Sequence, residues 1–442
     1  MKWTLTLFAV AASLFAGVAS AAPDIQHWTT DNGTPVYFVA ARELPIVDVR
    51  LVFDAGAARD DGKPGLAMLT NSLLLEGTDS MDAGAVARRF ERYGARVHTD
   101  SRRDSAFLHV RSLSRQESLD PVVDHLVDVL GHPAFAADAV ERVRRQMLVG
   151  LRQDLQSPDT VADRAFARAL YGDHPYANPP EGTQKGLKAI TRDDIRAFHK
   201  RYYTAGNAVI AIVGDLDESA ARAMADRLSG ALPSGKAAPP LPKVTMPDSA
   251  RTVRVPFDSS QTHVLIGQPV IARGDPDYYP LYVANQVLGG GGLVSVLAKE
   301  MREKRGLSYS TYSAFMPAAR KGRFELGTQV RNSALGEARK VLTDTLASFR
   351  KNGPTEQQLQ EAKQNITGSF PLNLDSNREL VRYVAMIGFY GLPLDYLDKF
   401  RDRIETLTRQ QVADAFRRRV DPARMVTVLV GPADVIADKG SD

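Results

Sequence analysis

The chain contains no cysteine. Disulfides are excluded, and so is a lipid anchor on a leading cysteine, so a large apolar core must hold the fold. Aromatic residues are sparse at 7%, with two tryptophans, and they do not interleave with basic runs as a nucleic-acid surface requires. No charge of one sign dominates: the formal net charge is +4, or +3 once Lys2 is removed with the leader described below. Runs such as Arg142–Arg145 and Arg417–Arg419 read as solvated helix faces. Histidine is also scarce. The eight are His27, His98, His109, His125, His132, His174, His199 and His263, and no two lie three or four residues apart. The spacing that puts two imidazoles on one helical face is therefore missing.

Beyond the first segment, no apolar run reaches spanning length. The first segment itself has one lysine, an apolar run from Leu5 to Val18, and the small residues Ala19, Ser20 and Ala21. This is the layout of a secretory signal peptide over residues 1–21, cleaved after Ala21. The expectation is a mature chain exported to the periplasm, with no membrane span after signal removal.

The rest of the chain divides and repeats. Residues 233–248 carry Pro233, Pro239, Pro240 and Pro242 among Gly, Ser and Ala, the composition of an extended linker. On either side, residues 190–217 and 407–434 say the same thing at a constant offset of 217, aligning Thr191 with Thr408 and Gly214 with Gly431. Each copy opens on a Thr that can cap an amphipathic helix and closes on an apolar strand ended by Gly. The expected architecture is α+β, with homologous domains at 22–232 and 249–442, each a largely antiparallel sheet covered on one face by helices.

GLAMLTNSLLLEGT, residues 65–78, places leucines at helical spacing around Asn71 and Ser72, both mediocre helix formers. The segment resembles the pitrilysin/insulinase-like metallopeptidases, whose inverted H-x-x-E-H helix is followed by an apolar run and Gly-Thr. That motif supplies two zinc ligands and a glutamate acting as general base. In register, Met68 and Ser72 replace the histidines and Asn71 replaces the glutamate. The third ligand of the family falls near Leu148, Val149 and Gly150, where no carboxylate stands. Met, Asn and Ser do not make a zinc site, which wants imidazole, thiolate or carboxylate.

The second half, from Asn285 to Ser313, resembles the C-terminal domains of the same family: a Gly-rich turn, a helix, then Arg and Tyr seven residues apart, here Arg302 and Tyr309. The Gly289–Gly292 run lacks the Lys-Ser/Thr of a phosphate loop and reads as a flexible turn before that helix. Gly306 is expected to end the helix, and Tyr309 to lie on a strand over LSYSTYS.

The resemblance implies two mitochondrial-processing-peptidase-like domains and the zinc-lacking subunit of a heterodimer. Arg302 and Tyr309 would bind substrate backbone, no metal would sit in this chain, and zinc would be carried by a homologous partner. Its substrates would be peptides or unfolded segments. Two other readings stay open: a pseudo-peptidase that binds peptides or braces a complex, and a self-sufficient peptidase whose ligands, distant in sequence, meet elsewhere.

Overall fold

A computed structural model describes residues 23–437; the expected signal peptide lies outside the described residues. The first half builds β1 (Gln26–Thr29), β2 (Pro35–Ala40), β3 (Ile46–Phe53), β4 (Arg96–Ser101), β5 (Ala106–Leu113) and β6 (Ala208–Gly214). These form one sheet in the order β1-β2-β6-β3-β5-β4. The second half builds β7 (Arg251–Pro256), β8 (Gln261–Pro269), β9 (Thr311–Met316), β10 (Arg323–Arg331) and β11 (Val426–Gly431). Their order is β7-β11-β8-β10-β9.

The two orders are the same order. Dropping β1, β2-β6-β3-β5-β4 maps position by position onto β7-β11-β8-β10-β9. Even the exceptions agree: β2 pairs with β6 in parallel and β7 with β11 in parallel, while every other ladder is antiparallel. The duplication read from the repeat is thus a duplication of topology. Thr191 and Thr408 each close a full capping box, with Asp194 and Gln411 returning the bond, as the aligned threonines imply.

The covering of the sheets goes beyond the expectation of helices on one face. Every residue of β6 is buried, and its side chains divide between two cores by the period-two rule. Ile210 and Ile212 face the first half's own helices, with Val49, Leu51 and Phe53 of β3 beside them. Val209, Ala211 and Val213 join a core with Val381, Val384 and Ala385, which belong to the second half's helix Asn377–Tyr390. The reciprocal holds: Phe166 of the first half's helix Pro158–Tyr171 packs with Val426, Val428 and Val430 of β11. Each half therefore lends a helix to close the other's sheet, and these two helices occupy equivalent places in the repeat. Residues 233–248 join the halves without helix or strand, pinned where Leu241 and Val244 enter the shared core.

Candidate functional site

The helix of the degenerate motif is short, Leu66–Ser72, and tightens into a 3₁₀ turn over Leu73–Leu75. Gly65 precedes it at φ 104°, a left-handed conformation that glycine adopts without penalty. Asp60 caps the turn, its two carboxylate oxygens accepting from the Gly65 and Ala67 amides at 2.8 Å each. Burial pushes the Asp60 carboxyl up to about 7, against the pull of those two donors.

Leu66, Leu69, Leu73 and Leu74 enter the core, while Met68 and Ser72 are half-buried on the other side. Asn71 is only 1% exposed and fully engaged. Its Nδ2 donates to the Asp100 carbonyl at 2.8 Å and the Phe107 carbonyl at 3.3 Å, and its Oδ1 accepts from the Tyr203 hydroxyl at 2.9 Å. The polar pair that interrupts the leucine pattern thus includes an amide tying this helix to β4 and β5. Beneath it, the His199 ring stacks on Tyr203 at 4.9 Å and meets Phe135 edge-on at 5.2 Å. Burial drives His199 down to about 4.

The helix Ala137–Asp154 packs against the motif helix, which brings up Leu148, exposed Val149 and Gly150. This is where the family's third ligand would stand. A thioether, a pinned carboxamide, a hydroxyl and aliphatic side chains do not fit zinc. Among the described residues, no group of three or more His, Cys, Asp or Glu could hold a metal ion, including at a relocated site.

Arg302 and Tyr309 are brought together. The Arg302 guanidinium lies 5.7 Å from the centroid of the Tyr309 ring, a cation–π distance. Arg302 lies in the last residues of a π-helical turn over Lys299–Glu303, and Gly306 at φ 59° reverses the chain after it. Tyr309 is not on a strand: β9 begins at Thr311, and Tyr309 stands two residues earlier. The alternation of LSYSTYS is met instead by a loop in which buried Leu307 and Ser308 anchor the base. The Ser308 hydroxyl donates to the Ser310 carbonyl at 2.9 Å and accepts from Thr328 at 2.9 Å, so the phenol is held out from a tethered turn and is 89% exposed.

The glycine run also differs from the expected flexible turn. Gln286–Gly290 continues the helix Tyr278–Asn285 as a π turn, and a Cβ on Gly289 would lie 2.3 Å from the Ser313 amide of β9. Glycine is there for a close approach. Beyond it, Leu293 and Val294 are exposed at 59% and 72%.

A cavity of 660 Å³ opens between the halves, and neither the motif positions nor the Arg–Tyr pair line it. Sequence reasoning missed its central carboxylate, Asp104, which sits in the β4–β5 turn with no motif around it. Asp104 accepts from the Tyr176 hydroxyl at 2.5 Å, the Ala319 amide at 2.8 Å and the Tyr390 hydroxyl at 3.0 Å.

Two family models match the chain: Insulinase (Peptidase family M16) over residues 37–184, and Peptidase M16 inactive domain over residues 189–366. The crystal structure of a peptidase M16 inactive domain from Pseudomonas fluorescens is similar at a TM-score of 0.90 and 40% identity, covering 94% of this chain and 100% of that one. An uncharacterized zinc protease of Mycobacterium tuberculosis is 30% identical over 383 residues, 85% of this chain and 86% of the relative. A Helicobacter pylori protein named a non-peptidase homolog is 26% identical over 395 residues, 88% of this chain and 89% of the relative. A duplicated α+β fold, a motif helix without its metal-binding letters, and matches along both halves lead to one assignment: the chain belongs to the M16 peptidase family.

Proposed function

We propose that this chain is the non-catalytic subunit of a two-chain zinc peptidase, exported to the periplasm by its leader. Its partner is a homologue with an intact H-x-x-E-H helix, and hydrolysis belongs to that partner. One contrast carries the reading. The motif helix has lost every ligating side chain and has fixed Asn71 in a structural role, while Arg302 and Tyr309 stand exposed at cation–π distance, with the turn that carries Tyr309 tethered at its base.

A guanidinium fork and a phenol hydroxyl are fixed donors for a peptide carbonyl, and they bind better as negative charge grows on that oxygen. The chain would thereby hold substrate backbone while forming one wall of the chamber. Substrates are peptides or unfolded segments able to add as a strand to a sheet edge. Exposed Leu293 and Val294, on the segment leading to Arg302, would lie against the partner or its substrate.

Arg302→Ala and Tyr309→Phe should each lower turnover of the reconstituted complex with assembly intact. Loss of one such donor costs about 2.7–4 kcal/mol, on the order of 10² to 10³ in rate. Full turnover in both variants would remove the pair from the mechanism. The name of the Helicobacter pylori relative supports a second reading, a peptide-binding or scaffold protein without proteolysis. Purifying the tagged mature chain with whatever stays bound separates the two. Chelator-sensitive peptide cleavage that disappears with a co-purifying homologue supports the peptidase subunit; a clean, inactive single chain supports the scaffold.

A further inference from the structure

The cavity between the halves carries far more positive charge than its lining neutralises. Arg50, Arg102, Arg103, Arg273, Arg323 and Arg382 line it, against the single carboxylate of Asp104. Asp104 already accepts three hydrogen bonds, none from an arginine. Four of the arginines have carboxylate or backbone partners, although the Nη1 of Arg323 is buried without one. Arg102 pairs with Asp100, Arg103 donates to the Tyr176 carbonyl, Arg323 pairs with Asp163 and Glu325, and Arg382 pairs with Glu379.

Arg50 and Arg273 are different. Among the described residues neither guanidinium has a carboxylate partner. Arg50 lies over Phe107, 3.4 Å from the ring centroid. Arg273 lies between Tyr278 and Tyr390, at 5.8 Å and 5.6 Å, with its Nε buried and without a hydrogen-bond partner. A guanidinium has five donors in a planar fork that matches a carboxylate, and desolvating it without an anion is costly. Arg50 feels this: burial first, then Arg102, Arg382 and Arg378, lower it to about 10, with Asp100, which is itself paired to Arg102, the one group acting the other way. The two arginines come from opposite walls, Arg50 from β3 of the first half and Arg273 from the loop after β8 of the second. Between them Tyr383, Met386 and Tyr390 of the exchanged helix supply an apolar and aromatic floor. The volume of 660 Å³ lies within the range of small-molecule sites.

We propose that this cavity binds an organic carboxylate with an aromatic or aliphatic body. The carboxylate pairs with Arg50, the body packs on the exchanged helix, and Arg273 receives a second oxygen where the ligand has one. Two sources share this chemistry: a short peptide with a free C-terminus and an apolar last residue, or a simple fatty or aryl acid. The peptide offers a backbone carbonyl to Arg273; the simple acid does not. The proposal is independent of the peptidase reading.

The test uses the mature full chain and isothermal calorimetry. The probes are N-acetyl-Ala-Phe, its C-terminal amide, and decanoate. One of the acids should bind one to one, and the amide should bind roughly tenfold weaker or worse than the acid peptide, the discrimination expected of a charge-assisted bidentate contact. Arg50→Gln should weaken the acid by a similar factor, with Arg50→Lys recovering part of it. Arg273→Gln should weaken the peptide and leave decanoate unchanged. Binding of the peptide acid assigns the first source, and binding of decanoate alone the second. Measurable binding of the peptide acid and its amide with equal affinity, or no heat from any probe at millimolar concentration, would overturn the proposal, and neither result depends on whether an arginine variant folds.

Discussion

Asn71 makes three hydrogen bonds with one carboxamide, and two of them run to carbonyl oxygens. Replacing it by Glu, the residue an active relative would carry there, turns two donors into acceptors facing acceptors at a site with 1% exposure. Asn71→Glu should therefore destabilise the fold by roughly 2–4 kcal/mol, the cost of leaving buried polar groups unpaired, and should bind no zinc. A urea midpoint unchanged from the wild type would show that the amide network is dispensable. The position of Asn71 was legible in the sequence because the leucine spacing around it is helical and Asn and Ser break it. Its partners were not. Asp100 and Phe107 lie 29 and 36 residues away, and only the closure of β4 and β5 over the helix brings their carbonyls into reach. Arg302 and Tyr309 were legible as a pair through the family resemblance, yet the alternation that put Tyr309 on a strand described a loop anchored by Ser308 instead.

Among the elements, the helices Arg192–Tyr202 and Arg409–Arg419 were the most readable, because capping box, amphipathic face and following strand are all local patterns. What the first of them does with His199 is tertiary. The imidazole lies between Tyr203 and Phe135, and its Nε2 has no hydrogen-bond partner. Burial lowers it from 6.5 to about 4. Between those values the unfolded chain takes up a proton that the folded chain refuses, so the stability due to neutral His199 is whole above about 6.5, declines as pH falls, and levels out below about 4. The span corresponds to roughly 3 kcal/mol. Burial also lowers His125, His174 and His263, which add slope of the same sign. Burial raises Asp60 to about 7 and also raises Glu325, which add slope of the opposite sign as pH falls, so the part due to His199 is read from the difference between wild type and variant. His199→Phe, which keeps the ring stack, should flatten that part of the decline. Denaturation midpoints of both proteins at a series of pH values from 7 to 4 give the comparison; parallel curves would mean that His199 protonates in the folded state at its ordinary value.

At the scale of the whole molecule, the division into two halves was legible from the repeat, but their mutual dependence was not. The one local hint was strands such as β6, apolar at every position, which must be covered on both faces. Nothing in a linear pattern says that the second cover comes from the other half, because the exchanged helices Pro158–Tyr171 and Asn377–Tyr390 have ordinary amphipathic sequences. The exchange makes one cooperative unit out of two similar domains, and Asp104 is one of its polar fastenings, beside the Arg323–Asp163 ion pair. From the β4–β5 turn it reaches the Ala319 amide and the Tyr390 hydroxyl of the second half, while the Tyr176 hydroxyl that donates to it also accepts from the Arg320 amide. Asp104→Ala leaves two phenols and an amide without their acceptor in a buried seam, and should cost about 3–5 kcal/mol. Tyr390→Phe removes one donor and should cost about 1 kcal/mol. Differential scanning calorimetry tests more than the size of the effect. With the fastening intact the halves should melt in one transition; in Asp104→Ala the transition should fall in temperature and broaden or split, since each half then loses its partner's helix at its own stability. A fall in temperature with an equally sharp single peak would place the coupling in the exchanged helices and the remaining polar contacts such as Arg323–Asp163. An unchanged peak would show that Asp104 fastens nothing.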